Sequence, residues 1–384
     1  MILSGGGTAG HIYPALALAS ELRSRNIDLL YLGTAKGPEH KLAEDESIAF
    51  ESISTAGYDR ARPVTLITSS LKALRGVGQS LALLRRQKPA AVICFGGYVS
   101  VPVGLAASLC NIPLIVHEQN SYMGMTNRFL AKRSDLLALT YPETAGLPER
   151  LKAQVSCLGN PVRQSFLKTD PASARARLGI PNDAPVLLIF GGSRGARNIN
   201  EAAIASAGLL LESYPDLHII HGTGKLEHAD VTEKLQQQLS ARPQLAVRYH
   251  ALPYIENMGD VIAASDLVVA RAGATSIAEL TVLGKPSVLI PYPYATDDHQ
   301  TTNASALVDL GGARLITDAQ IKQWLDNDLS ETRSVETFVF AATLVKLMGD
   351  EQLRMNMAER AKTLGKADAA KKLADALQKV VAAN

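Results

Sequence analysis

Gly5-Gly6-Gly7-Thr8-Ala9-Gly10-His11 and Gly191-Gly192-Ser193-Arg194-Gly195-Ala196-Arg197 decide the fold. Each follows a short apolar run, Ile2-Leu3 or Val186-Leu187-Leu188-Ile189-Phe190, and each opens a stretch of helical composition. A buried strand feeding a loop without side chains lets backbone N–H groups at the next helix N-terminus approach an anion closely. Two such turns about half a chain apart imply two similar α/β domains, each with a phosphate-type site, and a cleft between them suited to a nucleotide-linked substrate.

Working outward, the same alternation continues. Leu29 to Leu32, Ala91 to Phe95, Pro113 to Val116 and Leu136 to Leu139 read as buried strands of the first half. Val186 to Phe190, Leu217 to Ile220, Leu267 to Ala270 and Ser287 to Ile290 repeat the logic in the second, with helical intervals between them. The class is therefore α/β, with two similar domains built on parallel sheets. A length of 384 residues exceeds what one core usually supports. The turn chemistry of Gly159-Asn160-Pro161-Val162-Arg163 puts the boundary after Pro161, giving domains 1–161 and 162–366. The stretch Asp368 to Val381, rich in Ala, Leu and Lys, reads as a last helix.

Composition excludes several classes. Hydrophobic residues make up 47% and charged residues 20%, an ordinary globular balance. A net charge of +2 gives no case for a nucleic-acid partner. Cys94, Cys110 and Cys157 are too few and scattered for a disulfide framework or a zinc site, which favours a reducing compartment. The chain opens on a strand with no room for a signal peptide, and its longest apolar stretch, Val101 to Val116, is broken by Pro102, Asn111 and Pro113. A cytosolic protein, or one bound to a membrane from the cytosolic side, is expected.

The polar residues cluster after strands, where open parallel sheets bind ligands. Gly5-x-Gly7-x-x-Gly10 satisfies the dinucleotide fingerprint, but the second strand ends Leu30-Tyr31-Leu32-Gly33-Thr34 without the acid that a nicotinamide cofactor's ribose needs. His11, at a helix start, is the first candidate for a general base, and Glu118, just past a buried strand, the second. Asn120 suits a sugar hydroxyl or an Asx turn. Glu279 either closes a capping box with Ser276 or accepts both hydroxyls of a ribose. Asp297 and Asp298 read as helix caps. Asp326-Asn327-Asp328 has D-x-D spacing but follows a helix-like stretch, so no metal site is expected.

From Ile67 through Leu84, apolar residues at 67, 71, 74, 81 and 84 share one helical face beside the basic stripe Lys72, Arg75 and Arg86. Basic residues beside an apolar face suit anionic lipid, although a core-facing amphipathic helix has the same pattern. Gly76 and Gly78 argue against a regular helix there.

Taken together, Gly6-Gly7-Thr8-Ala9-Gly10-His11, Gly96-Gly97-Tyr98-Val99-Ser100, His117-Glu118-Gln119-Asn120, Gly159-Asn160-Pro161-Val162-Arg163, the second glycine turn, Arg271-Ala272-Gly273-Ala274 and Asp298-His299-Gln300 carry a resemblance over nearly the whole length. The chain resembles the MurG-type peptidoglycan glycosyltransferases. The resemblance implies a GT-B architecture and inverting transfer of N-acetylglucosamine from UDP-N-acetylglucosamine to the 4-hydroxyl of undecaprenyl-diphospho-N-acetylmuramoyl-pentapeptide, lipid I, giving lipid II for the cell wall. It implies that Ile255 meets the uracil through its backbone and Glu279 the ribose. Ser193 with the Ala274, Thr275 and Ser276 loop would hold the diphosphate, and Ile277 and Ala278 would belong to the same donor site. Gln300 and Asn120 would read sugar hydroxyls, and Thr8, Ala9, Gly10 and Arg163 would also line the donor site.

The resemblance further implies that the last helix, about 367–384, packs back on the first domain. No cofactor is implied. The expected partners are the donor, the lipid-linked acceptor, an anionic membrane face and a wall-synthesis complex. Two alternatives share the fold: an epimerase acting on UDP-N-acetylglucosamine, with acid and base groups around C2, and a GT-B transferase with a soluble acceptor. A binding module without chemistry is a third.

Overall fold

The structure, a computed structural model, describes residues 1–57, 64–192, 195–326 and 338–383. The chain forms two compact units, Met1–Gln164 with Lys366–Asn384, and Ser165–Gly365. The crossing thus follows Gln164 where the turn chemistry had placed it after Pro161.

The first unit is built on a seven-stranded sheet of β1 (Ile2–Ser4), β2 (Leu30–Gly33), β3 (Ala49–Ser52), β4 (Val92–Cys94), β5 (Leu114–Glu118), β6 (Leu136–Leu139) and β7 (Gln154–Cys157), in the order β3-β2-β1-β4-β5-β6-β7. The second carries six strands, β8 (Val186–Phe190), β9 (His218–Gly222), β10 (Tyr249–Leu252), β11 (Leu267–Ala270), β12 (Ser287–Leu289) and β13 (Ala313–Leu315), in the order β10-β9-β8-β11-β12-β13. All pairs are parallel; Ile2 stands opposite both Leu30 and Val92, and Leu187 opposite both Ile219 and Leu267. Strand order reverses between β1 and β4 and between β8 and β11. At such reversals the helices on either side leave a crevice at the carboxyl ends of the strands.

Both faces of the first sheet are covered, and the pleat sorts side chains between them. Leu3, Tyr31 and Ile93 pack with Ile12, Leu16, Leu18, Leu373 and Leu377. Ile2, Leu32, Val92 and Cys94 point the other way, onto Leu83, Leu84, Val103 and Leu130. Each of these side chains contributes about 1.5–3 kcal/mol by leaving water, which is why the central strands read as unbroken apolar runs.

The Ala369–Ala383 helix returns to the first unit and lies on the Ala9–Ser24 helix, burying Leu373, Ala374 and Leu377. Arg25 secures it, 2.7 Å from Asp375 and donating to Gln378 Oε1 at 2.7 Å. The Val64–Gln87 helix is continuous, contrary to the reading of Gly76 and Gly78 as breakers. The reason is close approach: a Cβ at Gly76 would stand 2.3 Å from the Ser54 carbonyl oxygen. The helix can pass the end of β3 only with a bare backbone there.

Candidate active site

His11 is the third residue of the Ala9–Ser24 helix, immediately beyond β1 and beside the first reversal in strand order. Its ring lies against Gly96 and Gly97; a Cβ on the former would stand 3.1 Å from Nδ1, and one on the latter 3.3 Å from Cδ2. Both glycines have positive φ, 102° and 75°, so space and backbone alike exclude a side chain. Nδ1 lies 3.2 Å from Oε1 of the buried Gln119. Thr8 precedes the helix without a side-chain cap, and Ala9 and Gly10 form its first turn, where backbone amides have no intrahelical acceptor.

The first glycine turn is not an empty anion cradle. Glu39 is fully buried beneath it. Its Oε1 accepts from the Thr34 amide at 2.9 Å and hydroxyl at 2.6 Å, and its Oε2 accepts from the Gly7 amide at 3.4 Å. A Cβ at Gly6 would stand 2.8 Å from the Glu39 carboxyl carbon. A carboxylate lodged inside the turn supplies its anion from within the fold and repels a second. Of the two turns expected to be phosphate sites, only the second remains suited to one.

Glu118 ends β5 and is 1% exposed. Oε1 accepts from the Asn120 amide at 2.9 Å and side chain at 3.2 Å; Oε2 accepts from the Gly124 amide at 3.1 Å and Asn127 Nδ2 at 2.8 Å. A carboxylate so engaged holds the loop that presents Asn120, and its geometry favours positioning over proton transfer. Arg163 stacks on Tyr13, its guanidinium 4.1 Å from the ring centroid.

In the second unit, the Arg197–Ser213 helix begins after β8 and the Ala274–Val282 helix after β11, so two helix N-termini flank the second reversal. Neither has a side-chain cap. The first intrahelical bonds run from the Asn200 amide to Ala196 O at 2.9 Å and from the Ile277 amide to Gly273 O at 3.0 Å. The amides of residues 197–199 and 274–276 therefore precede any intrahelical acceptor, as an anion site requires. Ser193 lies outside the described residues.

Glu279 is 6% exposed, in the second turn of its helix. The helix starts at Ala274 after Gly273, so Ser276 is inside it and the capping-box reading of Glu279 fails. Ile277 is buried in the core, with Ala278 half-buried beside it. Ile255 packs against the end of β9: a Cβ at Gly222 would stand 3.0 Å from its Cδ1. Gln300 Oε1 accepts from the Tyr292 amide at 2.9 Å, which leaves the amide nitrogen as its donor end.

Asp297 and Asp298 both adopt left-handed backbone, φ 53° and 49°. The Asp298 carboxylate accepts from the Thr301 hydroxyl at 2.7 Å, binding the start of its helix through a side chain. Asp326 pairs with Lys322 one turn earlier, and Asn327 and Asp328 lie outside the described residues. Among the described residues no group of three or more His, Cys, Asp or Glu is placed to hold a metal.

Lys72 and Arg75 are exposed beside Leu71 and Leu74, which are 62% and 69% exposed. Further along the same face Leu84 is buried, so the apolar stripe leaves the core in its first half. The side chain of Ile67 lies outside the described residues. Arg86 is about 16 Å along the helix from Arg75, 3.3 Å from Glu51.

A buried polar chain that no spacing rule reveals stands behind the second glycine turn. A Cβ at Gly195 would lie 2.4 Å from Thr223 O, and that same oxygen accepts from Asn200 Nδ2 at 2.9 Å. Asn200 also donates to Glu227 at 2.6 Å and its Oδ1 accepts from His221 Nε2 at 3.0 Å, while the Tyr249 hydroxyl donates to His221 Nδ1 at 2.9 Å. Burial pushes His221 down to about 3, and likewise His117 to about 4, from an ordinary 6.5. Both are neutral in the fold, whereas the unfolded chain takes up these protons once pH falls below 6.5. Stability is therefore full above that value and is lost as pH falls towards 4. The urea midpoint is expected to drop between pH 7 and 5, and less so in His221→Asn; a flat midpoint over that window contradicts the assignment.

Known proteins share this organisation. Residues 1–138 match the glycosyltransferase family 28 N-terminal domain and residues 186–373 its C-terminal domain. The UDP-N-acetylglucosamine--N-acetylmuramyl-(pentapeptide) pyrophosphoryl-undecaprenol N-acetylglucosamine transferase of Halothermothrix orenii is 42% identical over 323 residues, 84% of this chain and 86% of that protein. The protein of the same name from Desulforudis audaxviator is 39% identical over 99% of this chain and 98% of its own. The crystal structure of Acinetobacter baumannii MurG superposes with a TM-score of 0.72 at 28% identity, covering 98% of this chain and 99% of that one. With two Rossmann-like units of parallel sheet in the GT-B manner, the chain belongs to glycosyltransferase family 28, in the group of these N-acetylglucosamine transferases.

Proposed function

We propose that this chain transfers N-acetylglucosamine from UDP-N-acetylglucosamine to the 4-hydroxyl of an undecaprenyl-diphospho-N-acetylmuramoyl-pentapeptide, with inversion. The observation that carries the reading is 39% identity, over 99% of the chain, to a transferase named for that donor and acceptor. The second unit has the matching chemistry: two uncapped helix N-termini at a switch point for a diphosphate, with the carboxylate of Glu279 in the next turn for a ribose.

In this mechanism the acceptor oxygen forms a bond to the anomeric carbon as the bond from that carbon to the diphosphate oxygen breaks on the opposite face. The proton passes to His11, and UDP leaves with the electron pair. Charge gathering on the diphosphate is met by the amides of residues 197–199 and 274–276 together with Ser193, without a metal. Glu279 holds the ribose and the Ile255 backbone the uracil. Gln300 and Asn120 read sugar hydroxyls, and Thr8, Ala9, Gly10 and Arg163 complete the donor contacts. Glu118 serves by holding Asn120.

Incubation with UDP-N-acetylglucosamine and a lipid-linked muramoyl acceptor, with EDTA present, tests the reading. UDP and a disaccharide product are expected. An epimerised donor without disaccharide, or transfer only to soluble acceptors, overturns it.

The acceptor's lipid calls for a membrane-docking surface, and the exposed residues 71, 72, 74 and 75 of the Val64–Gln87 helix suit one. Among the described residues no helix is long and apolar enough to cross a membrane. Leu71, Leu74, Lys72 and Arg75 combine apolar and basic groups. Exposed apolar side chains recur on the neighbouring helices, at Leu109, Met125 and Phe129, the last under the guanidinium of Arg133 at 4.4 Å from the ring centroid. Arg86, beside Glu51, belongs less closely to this set. Changing Lys72, Arg75 and Arg86 to Gln is expected to weaken binding to anionic vesicles and turnover of a long-chain acceptor, while a short-chain acceptor is turned over as before. Equal losses on both acceptors count against docking.

A further inference from the structure

The tautomer of His11 is written into the hydrogen bonds behind it. His117 is fully buried, with Nε2 3.0 Å from the Gly159 carbonyl oxygen. A carbonyl only accepts, so this nitrogen carries the hydrogen and His117 Nδ1 is an acceptor. Gln119, also buried, has its amide nitrogen 2.9 Å from Phe95 O, 3.1 Å from His117 O and 3.1 Å from that Nδ1. All three neighbours require a donor, which fixes the orientation of the amide. Gln119 Oε1 is thereby turned to His11 Nδ1 at 3.2 Å, and an amide oxygen only accepts. His11 must carry its hydrogen on Nδ1, and its basic lone pair is on Nε2.

Burial keeps the far end of this chain in one state. It lowers His117 to about 4, so near neutral pH His117 stays uncharged and its Nδ1 stays an acceptor. The bare backbone of Gly96 and Gly97 gives the His11 ring its place. A neutral amide opposite Nδ1 selects the tautomer without adding the charge of a carboxylate, which would hold the imidazolium more tightly.

We propose that Gln119 and His117 are positioning residues that lock His11 in the Nδ1–H tautomer and so make Nε2 the nitrogen that takes the acceptor's proton. The tautomer follows from the hydrogen bonds; its use in transfer rests on the reading of His11 as the base. When a base is held in the wrong tautomer its lone pair faces away from the proton, and rate is lost with geometry intact.

Nitrogen-15 spectra of histidine-labelled protein provide the test, with the His11 signals identified by their loss in His11→Ala. In the unaltered protein above the titration of His11, a protonated Nδ1 and an unprotonated Nε2 are expected. Gln119→Met should let the ring populate both tautomers and lower kcat by about tenfold or more, with donor KM unchanged. A protonated Nε2 in the unaltered protein overturns the proposal without any variant having to fold, as does an unchanged tautomer in folded Gln119→Met. If instead the tautomer responds as described but the acid limb survives in His11→Ala, the lock stands and the assignment of His11 as base fails.

Discussion

Replacement of His11 by alanine is expected to lower kcat by about 10²–10⁴-fold, the contribution of a positioned general base, with little change in donor affinity. A base acts on the proton in transit and not on the bound ground state, so the loss falls on kcat and kcat/KM together. The ring lies over Gly96 and Gly97 and its loss opens no core. The acid limb of the pH–rate profile should vanish with the imidazole, because nothing else in the proposed mechanism titrates as its base. Steady-state rates across pH, with calorimetry for donor binding, check both parts. A fall smaller than about tenfold, or a persisting acid limb, removes His11 from the role.

Glu279→Gln is expected to weaken UDP-N-acetylglucosamine binding by about 1.5–3 kcal/mol, the worth of hydrogen bonds to a charged group. That is a rise in Kd of roughly 10- to 150-fold. Its position inside the Ala274–Val282 helix makes the experiment clean, since no cap is lost with the charge. Calorimetry reads the affinity and a thermal melt the fold. Unchanged affinity in a folded variant would leave Glu279 without a donor role.

The centre of each sheet was legible because strands buried on both faces spell themselves out as apolar runs. Four strands escaped: β3, β7, β10 and β13, and all four lie at sheet edges. Ala49–Ser52 and Gln154–Cys157 are mostly solvent-facing, so no apolar run marks them. An edge strand is defined by its one neighbour more than by its own residues. The site divides in the same way. Glycine turns and helix starts announced themselves, placing His11 and the amides of residues 274–276. Glu39 did not, for its effect on the first glycine turn depends on a fold that brings it 32 residues back to Gly7. Nor did Gln119, whose meaning comes from His117 two residues away and from Phe95 and His11 on other segments. Gly76 misled because a glycine that admits a neighbouring carbonyl looks, in one dimension, like one that breaks a helix.

The returning helix Ala369–Ala383 makes the first unit discontinuous in the chain, and this bears on the order in which the units fold. Ribosomes deliver residues 1–164 first, but the layer holding Leu373, Ala374 and Leu377 emerges only after all of Ser165–Gly365. Until then the outer side of the Ala9–Ser24 helix has no cover, while the second unit, continuous in sequence, has everything it needs to fold. The later domain can therefore finish before the earlier one. A nascent chain stalled before residue 369 exposes an apolar face for chaperones to hold, and only completed chains close the unit that carries His11.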